Sequence, residues 1–133
     1  MTAGLIDTSA YSAFLRGHEE LKLSLQRADR IVLTPIVLGQ LSAGFRAGAR
    51  KNKNQAELRQ FLDSPRVDVA AIDAETAERY AVILHALRQS GTPIPSNDIW
   101  IAASAMQHGL RVLTTDVHYD RIPQIIVERY ETG

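Results

Sequence analysis

Short apolar runs alternate with amphipathic stretches along this chain, a pattern that predicts parallel strands joined by helices. Leu5-Ile6-Asp7 reads as the first strand, and its short apolar run suits a strand covered on both faces. A helix is predicted over 9–16 with Gly17 as its stop, and a shorter one over 19–26. Ile31-Val32-Leu33 reads as the second strand. Thr34-Pro35 then has the form of a helix N-cap followed by proline at the first helical position, with the helix running toward Gly48. A further helix is expected over 53–62, stopped ahead of Pro65, then a third strand over 67–72. Asp73 is placed to cap a long helix to Gln89, with Ala77, Tyr80, Ala81, Leu84 and Leu87 at helical spacing. The glycine and prolines of 90–95 mark a loop. Ser96 or Asn97 caps the next helix, which ends near His108-Gly109. Val112-Leu113-Thr114 reads as the fourth strand and Ile125-Ile126-Val127 as a fifth at the sheet edge.

Within that α/β pattern, three apolar runs each carry an aspartate at or beside one end. Asp7 closes the first strand, Asp98 opens Ile99-Trp100-Ile101-Ala102-Ala103, and Asp116 follows Val112-Leu113-Thr114-Thr115. Open parallel sheets place their ligands outside the carboxyl ends of the strands, so Asp7 and Asp116 are expected at one rim, with Asp98 in the first turn of a helix beside them. Each acid also has a purely structural reading. Asp7 can cap the helix that follows it, Asp98 can complement a helix N-terminus, and Asp116 can start a turn. Taken together at one rim, buried carboxylates call for a compensating cation. Thr8, Ser9, Asn97, Thr114 and Thr115 flank them and are suited to orienting waters. Oxygen donors without a histidine or cysteine cluster point to magnesium or manganese rather than zinc. No residue here is a nucleophile with a paired base, so metal-activated water is the economical mechanism. Asp120 is an auxiliary acid, and His118 is close enough in sequence to approach the rim. His18, His85 and His108 lie far apart, and Trp100 reads as core.

Composition narrows the function. At 133 residues the chain is expected to form a single domain over 1–133, large enough for a core without staples. The apolar fraction of 45% and charged fraction of 23% are those of an ordinary globular protein. There is no cysteine, which excludes disulfides, thiolate zinc sites and cysteine nucleophiles. No apolar run approaches the length of a membrane span and no secretory signal is visible, so the expected location is cytoplasmic. Fifteen basic residues balance fifteen acidic ones, which argues against strong nonspecific binding of nucleic acid. Arg46, Arg50, Lys51 and Lys53 nevertheless form a local basic patch, either a solvated helix end or a phosphate or partner contact.

The successive motifs Gly4-Leu5-Ile6-Asp7-Thr8-Ser9, Pro35-Ile36-Val37-Leu38-Gly39-Gln40-Leu41, Asn97-Asp98-Ile99-Trp100-Ile101-Ala102-Ala103 and Leu113-Thr114-Thr115-Asp116-Val117-His118-Tyr119 resemble those of PIN-domain nucleases. The toxin half of VapBC toxin–antitoxin pairs, or the related FitB-like proteins, is the most similar type, and the likeness spans nearly the whole chain. It implies a three-layer α/β/α domain with a central parallel sheet of four to five strands. It also implies metal-dependent endoribonuclease activity, homodimerisation and inhibition by a small antitoxin. In that family four acids surround magnesium or manganese. Asp7, Asp98 and Asp116 match three of them. The fourth is a glutamate in the helix after the second strand, where this chain has Gln40. An amide there carries no charge and takes no proton, so weakened metal binding and reduced or absent cleavage are expected while the fold survives. Either a lineage kept the fold for binding alone, or a harmful nuclease was deliberately weakened.

Other readings remain in play. A noncatalytic interaction module would bind an antitoxin or RNA through the same fold. Phe45, Leu58, Phe61 and Leu62 would then line a clamp for an antitoxin helix, although they read equally as core. A haloacid-dehalogenase-type phosphatase would want a second aspartate where Ser9 stands. A receiver domain would want a late lysine, and dinucleotide binding a glycine-rich turn after the first strand. The chain has none of these features.

Overall fold

The computed structural model describes residues 2–132. Its core is a five-stranded, all-parallel sheet in the order β3-β2-β1-β4-β5, with β1 Ala3–Ile6, β2 Arg30–Leu33, β3 Val67–Val69, β4 Arg111–Thr114 and β5 Val127–Arg129. Leu5, Ile6, Ile31, Val32, Leu33, Val112 and Leu113 are all buried. Consecutive strand residues point to opposite faces, so uninterrupted burial means that helices cover both sides, and the architecture is the expected α/β/α sandwich. The helices are α1 Thr8–Leu15, α2 Glu19–Arg27, α3 Pro35–Ala47, α4 Lys51–Leu62, α5 Ala74–Ser90 and α6 Ser96–His108. Among the described residues no helix is long and apolar enough to cross a membrane.

Local chemistry sets the helix ends. Thr34 Oγ1 accepts from the Val37 amide, and Pro35 opens α3 as expected. Asp73 and Thr76 form a reciprocal cap on α5. Gly91 and Gly109 stop α5 and α6 in the left-handed region, at φ 67 and 64.

Several elements differ from the sequence expectation: β1 ends at Ile6, so Asp7 lies just beyond it, and α4 begins at Lys51 instead of 53. Helix α6 begins at Ser96, so Pro95 occupies the cap position in place of Ser96 or Asn97. Strand β3 stops at Val69 instead of reaching Ile72, as suits an exposed edge with one neighbour. Strand β5 lies two residues later than expected, over 127–129, because Val127 and Glu128 take the register opposite Val112 and Leu113, which leaves Ile126 exposed. A 3-10 turn, Val117–Arg121, follows β4 directly. Its apolar residues are too few to set a period.

Strand order determines where a site can form. From β1 the chain leaves to β2 on one side, while β4 lies on the other. The carboxyl ends of β1 and β4 therefore flank the point where the winding direction reverses, and a crevice opens there. Gly4 leaves room for the Leu113 side chain of the neighbouring strand, since a Cβ at that position would come within 3.1 Å of it.

Candidate metal centre

Asp7 is the residue after β1 and caps α1. Its Oδ1 accepts from the Ala10 amide at 2.8 Å and from Ser9 Oγ at 2.9 Å, and its Oδ2 accepts from Thr114 Oγ1 at 2.6 Å. The carboxyl is only 3% exposed. Burial pushes its pKa up to about 6, against the pull of the bonds from Thr114, Ala10 and Ser9, and the Asp98 charge adds to the rise. Both the structural and the functional reading of this residue describe the same atoms: it is a helix cap, and it is also a carboxylate whose ionisation is costly.

Asp98, in the first turn of α6, and Asp116, after β4, converge from the other side. His118 joins them. Its Nδ1–H donates to Asp98 Oδ2 at 2.8 Å and stands 3.1 Å from Asp116 Oδ1, which also accepts from the His118 backbone amide at 2.9 Å. One ligand atom from each of Asp98, Asp116 and His118 lies within 4.8 Å of the others. Beneath them Tyr119, fully buried, donates from its hydroxyl to Asp98 Oδ1 at 3.4 Å. Burial, then the charges of Asp7, Asp98 and Asp116, push the phenol far above its ordinary range, so it stays a donor.

The remaining residues singled out from sequence separate into two groups. Ser9 is central: its hydroxyl bonds Asp7, contacts Thr114 Oγ1 at 3.2 Å and accepts from the Thr115 amide at 3.1 Å, stitching α1 to the end of β4. Gln40, half-buried on α3, accepts at Oε1 from Thr8 Oγ1, next to Asp7 in the chain. Asn97 is exposed on the outer side of the first turn of α6, and Thr115 is brought in through its backbone. Asp120 is bridged by Arg129 at 3.3 Å, a surface pairing rather than a member of the cluster. Trp100 stacks on Tyr80 at 4.2 Å and serves packing. The sequence reading underweighted His118, which lies at the centre of the cluster, and missed Tyr119. Their spacing of two and three residues from Asp116 was the available signal, because a 3-10 turn folds such residues back over its own cap.

The donors fit a divalent cation. Two carboxylates and an imidazole converge, with a third carboxylate behind them held in a setting that disfavours its charge. Among the described residues no lysine or arginine bridges Asp7, Asp98 or Asp116. Uncompensated acids at the edge of a core are the arrangement a cation stabilises.

The predicted clamp between α3 and α4 does not form. Phe45 and Leu58 are buried in the core, while Phe61 and Leu62 are half-buried against it. An apolar groove of about 400 Å³ instead lies between α1 and α4, lined by Tyr11, Phe14, Leu15, Glu57, Gln60 and Phe61. The basic residues Arg46, Arg50, Lys51 and Lys53 are all exposed.

Comparison with known proteins agrees with this geometry. The family profile of the PIN domain matches residues 4–125. Ribonuclease VapC11 of Mycobacterium tuberculosis is 34% identical over 131 residues, covering 91% of this chain and 92% of its own. The fold is similar to that of DNA-bound VapBC from Salmonella typhimurium, with a TM-score of 0.85 at 26% identity, covering 97% of this chain and 98% of that one. It is also similar to VapBC-5 of Mycobacterium tuberculosis, a member of the VapBC family of toxin–antitoxin systems, with a TM-score of 0.78 at 26% identity over 98% of this chain and all of the other. With the rim acids at the switch point of a five-stranded parallel sheet and a family match across nearly its whole length, the chain belongs to the PIN-domain family.

Proposed function

We propose that this protein is the toxin of a toxin–antitoxin pair, an endoribonuclease that hydrolyses RNA phosphodiesters with magnesium or manganese and is attenuated by Gln40. The carrying observation is the convergence of Asp98, Asp116 and His118 beside buried Asp7 at the carboxyl end of β1 and β4. Relatives named ribonucleases point the same way. When bound, the cation supplies charge compensation for the phosphodiester and activation of the attacking water. Asp98 and Asp116 hold it, and Asp7 contributes negative charge from the first strand. Ser9 and Thr114 keep the Asp7 carboxylate oriented by donating to it. Tyr119 holds Asp98 from below and closes the floor of the site to water. Gln40 offers an amide oxygen where the family has a carboxylate, and Thr8 already engages it. The rim therefore holds one negative charge fewer against the cation.

The test is cleavage of RNA by Gln40→Glu with magnesium or manganese. A gain of at least about tenfold over the unsubstituted chain is expected, on the scale of effects from residues that tune a metal site. A folded, metal-binding Gln40→Glu protein that cuts no RNA would overturn the reading.

One observation favours a second reading, an inactive module that binds an antitoxin: Gln40 removes a charge while the aromatic groove of Tyr11, Phe14 and Phe61 stays open. Calorimetric titration with manganese separates the two, since an interaction module has no need of the ion. Under either reading an antitoxin partner is proposed on the strength of the VapBC relatives, and a homodimer on the resemblance to PIN-domain toxins.

A further inference from the structure

The donor set at the rim is not made of oxygen alone. Asp7, the acid nearest the core, has its two oxygens engaged by Ala10, Ser9 and Thr114 and does not belong to the tightest group of ligand atoms. That group takes its third member from His118. Two ligands in neighbouring positions on an octahedral ion, each ~2.1 Å from it, lie ~3.0 Å apart. His118 Nδ1 stands 2.8 Å from Asp98 Oδ2 and 3.1 Å from Asp116 Oδ1, so both distances match edges of such a polyhedron. The ring stands beside this place, and a small turn of its side chain redirects Nδ1 from Asp98 Oδ2 toward the ion. Its backbone amide is pinned to Asp116 Oδ1 in the first turn of the 3-10 segment, and its side chain is about one-third exposed, at 32%.

We propose that His118 Nδ1 is an inner-sphere ligand of the divalent cation, and that it turns a magnesium-type site into one selecting manganese or another nitrogen-tolerant transition ion. The inference rests on the metal-centre reading above and specifies it. The ring's bond to Asp98 Oδ2 and the His118 backbone amide's bond to Asp116 Oδ1 tie the residue to both carboxylates. On binding, Nε2 would carry the proton in place of Nδ1, leaving the Nδ1 lone pair free to coordinate. Magnesium prefers oxygen donors and dehydrates reluctantly, whereas imidazole suits the later divalent ions. Manganese is accepted by oxygen donors as well as by imidazole, so the ring's own contribution is read as the manganese affinity lost in His118→Ala.

The experiment loads the full chain with manganese alone and compares pulsed EPR spectra of protein carrying ordinary and 15N-labelled histidine. The expected result is an imidazole-nitrogen coupling that changes with the label, disappears in His118→Ala, and is accompanied by a loss of manganese affinity of at least about tenfold. His18, His85 and His108 are labelled too, so a coupling that survives in His118→Ala overturns the proposal. Tight manganese binding with no imidazole coupling also overturns it but leaves the carboxylate site intact. Failure of the unsubstituted chain to bind manganese at all overturns both this inference and the metal-dependent nuclease reading.

Discussion

The sheet has acids near both ends, and they are treated differently. Toward the start of the strands, Arg30 bridges Asp68 at 2.9 Å across β2 and β3, and Arg111 bridges Glu128 across β4 and β5. These side chains are between 39% and 54% exposed, so each charge has both an opposite partner and water. At the carboxyl ends, Asp7, Asp98 and Asp116 gather with less water, and among the described residues a histidine is their nearest basic group. An exposed pair contributes little and is replaceable. A cluster of acids without a cation costs stability, and its retention in a fold is explained by a ligand that lowers that cost. The difference between the two ends separates surface ion pairs from a candidate metal centre.

Removing a charged group from each end should have different consequences. In the Gln40→Glu background, Asp98→Asn is expected to lower RNA cleavage by at least about 100-fold, at the upper end of effects seen when a metal site is disturbed, with little change in thermal stability. Comparable cleavage by the double variant would place the chemistry elsewhere.

Asp7 sharpens the contrast through stability. Folding raises its pKa from 3.8 to about 6, so between those values the native state binds more protons than the unfolded one. Stability from this group is therefore greatest in acid and falls as pH rises toward 6, after which the cost is constant. The displacement corresponds to about 3 kcal/mol at neutral pH. Asparagine keeps the helix cap and carries no charge. Asp7→Asn should thus raise the melting temperature at pH 7.5 by several degrees, and the gain should vanish near pH 4, as thermal unfolding across that range would show. A variant less stable than the parent at pH 7.5 would mean that the hydrogen bonds from Ser9 and Thr114 outweigh desolvation.

The smallest effect is expected at the other end of the sheet. Arg111→Ala breaks a half-exposed pair and should cost under about 1 kcal/mol in denaturant unfolding. Manganese affinity should not change. An altered affinity would show that the two ends are coupled through β4.

Much of the site was legible because its acids sit where apolar runs stop. The short apolar runs and the amphipathic helices between them locate the strand ends, and a residue directly after Ile6 or Thr115 has to emerge at the carboxyl rim. Gln40 stood out only through the resemblance to PIN-domain nucleases, whose motif carries a glutamate in the helix after the second strand. His118 was harder to read. Its position depends on a 3-10 turn of five residues, too short to leave a periodic signal, and a histidine beside an aspartate is common on any surface. The exposure of the candidate clamp residues was hard to read for a related reason. Leu58 and Phe61 lie at helical spacing, but which of them faces solvent depends on how α4 packs, and α4 turned Leu58 inward and left Phe61 beside Tyr11 and Phe14.

From the order of its residues alone, this chain determined an α/β alternation, the strands that carry Asp7 and Asp116, and the helix turn that carries Asp98. These follow from local rules, since periodicity, caps and breakers act over a few residues. The tertiary structure decided that β1 and β4 are neighbours, that Asp7 is enclosed by Ser9, Thr114 and Ala10, and that His118 stands between two carboxylates. Those are long-range facts. Burial and distance, which set the cost of a charge and the geometry open to a cation, come into being only when segments a hundred residues apart are packed together.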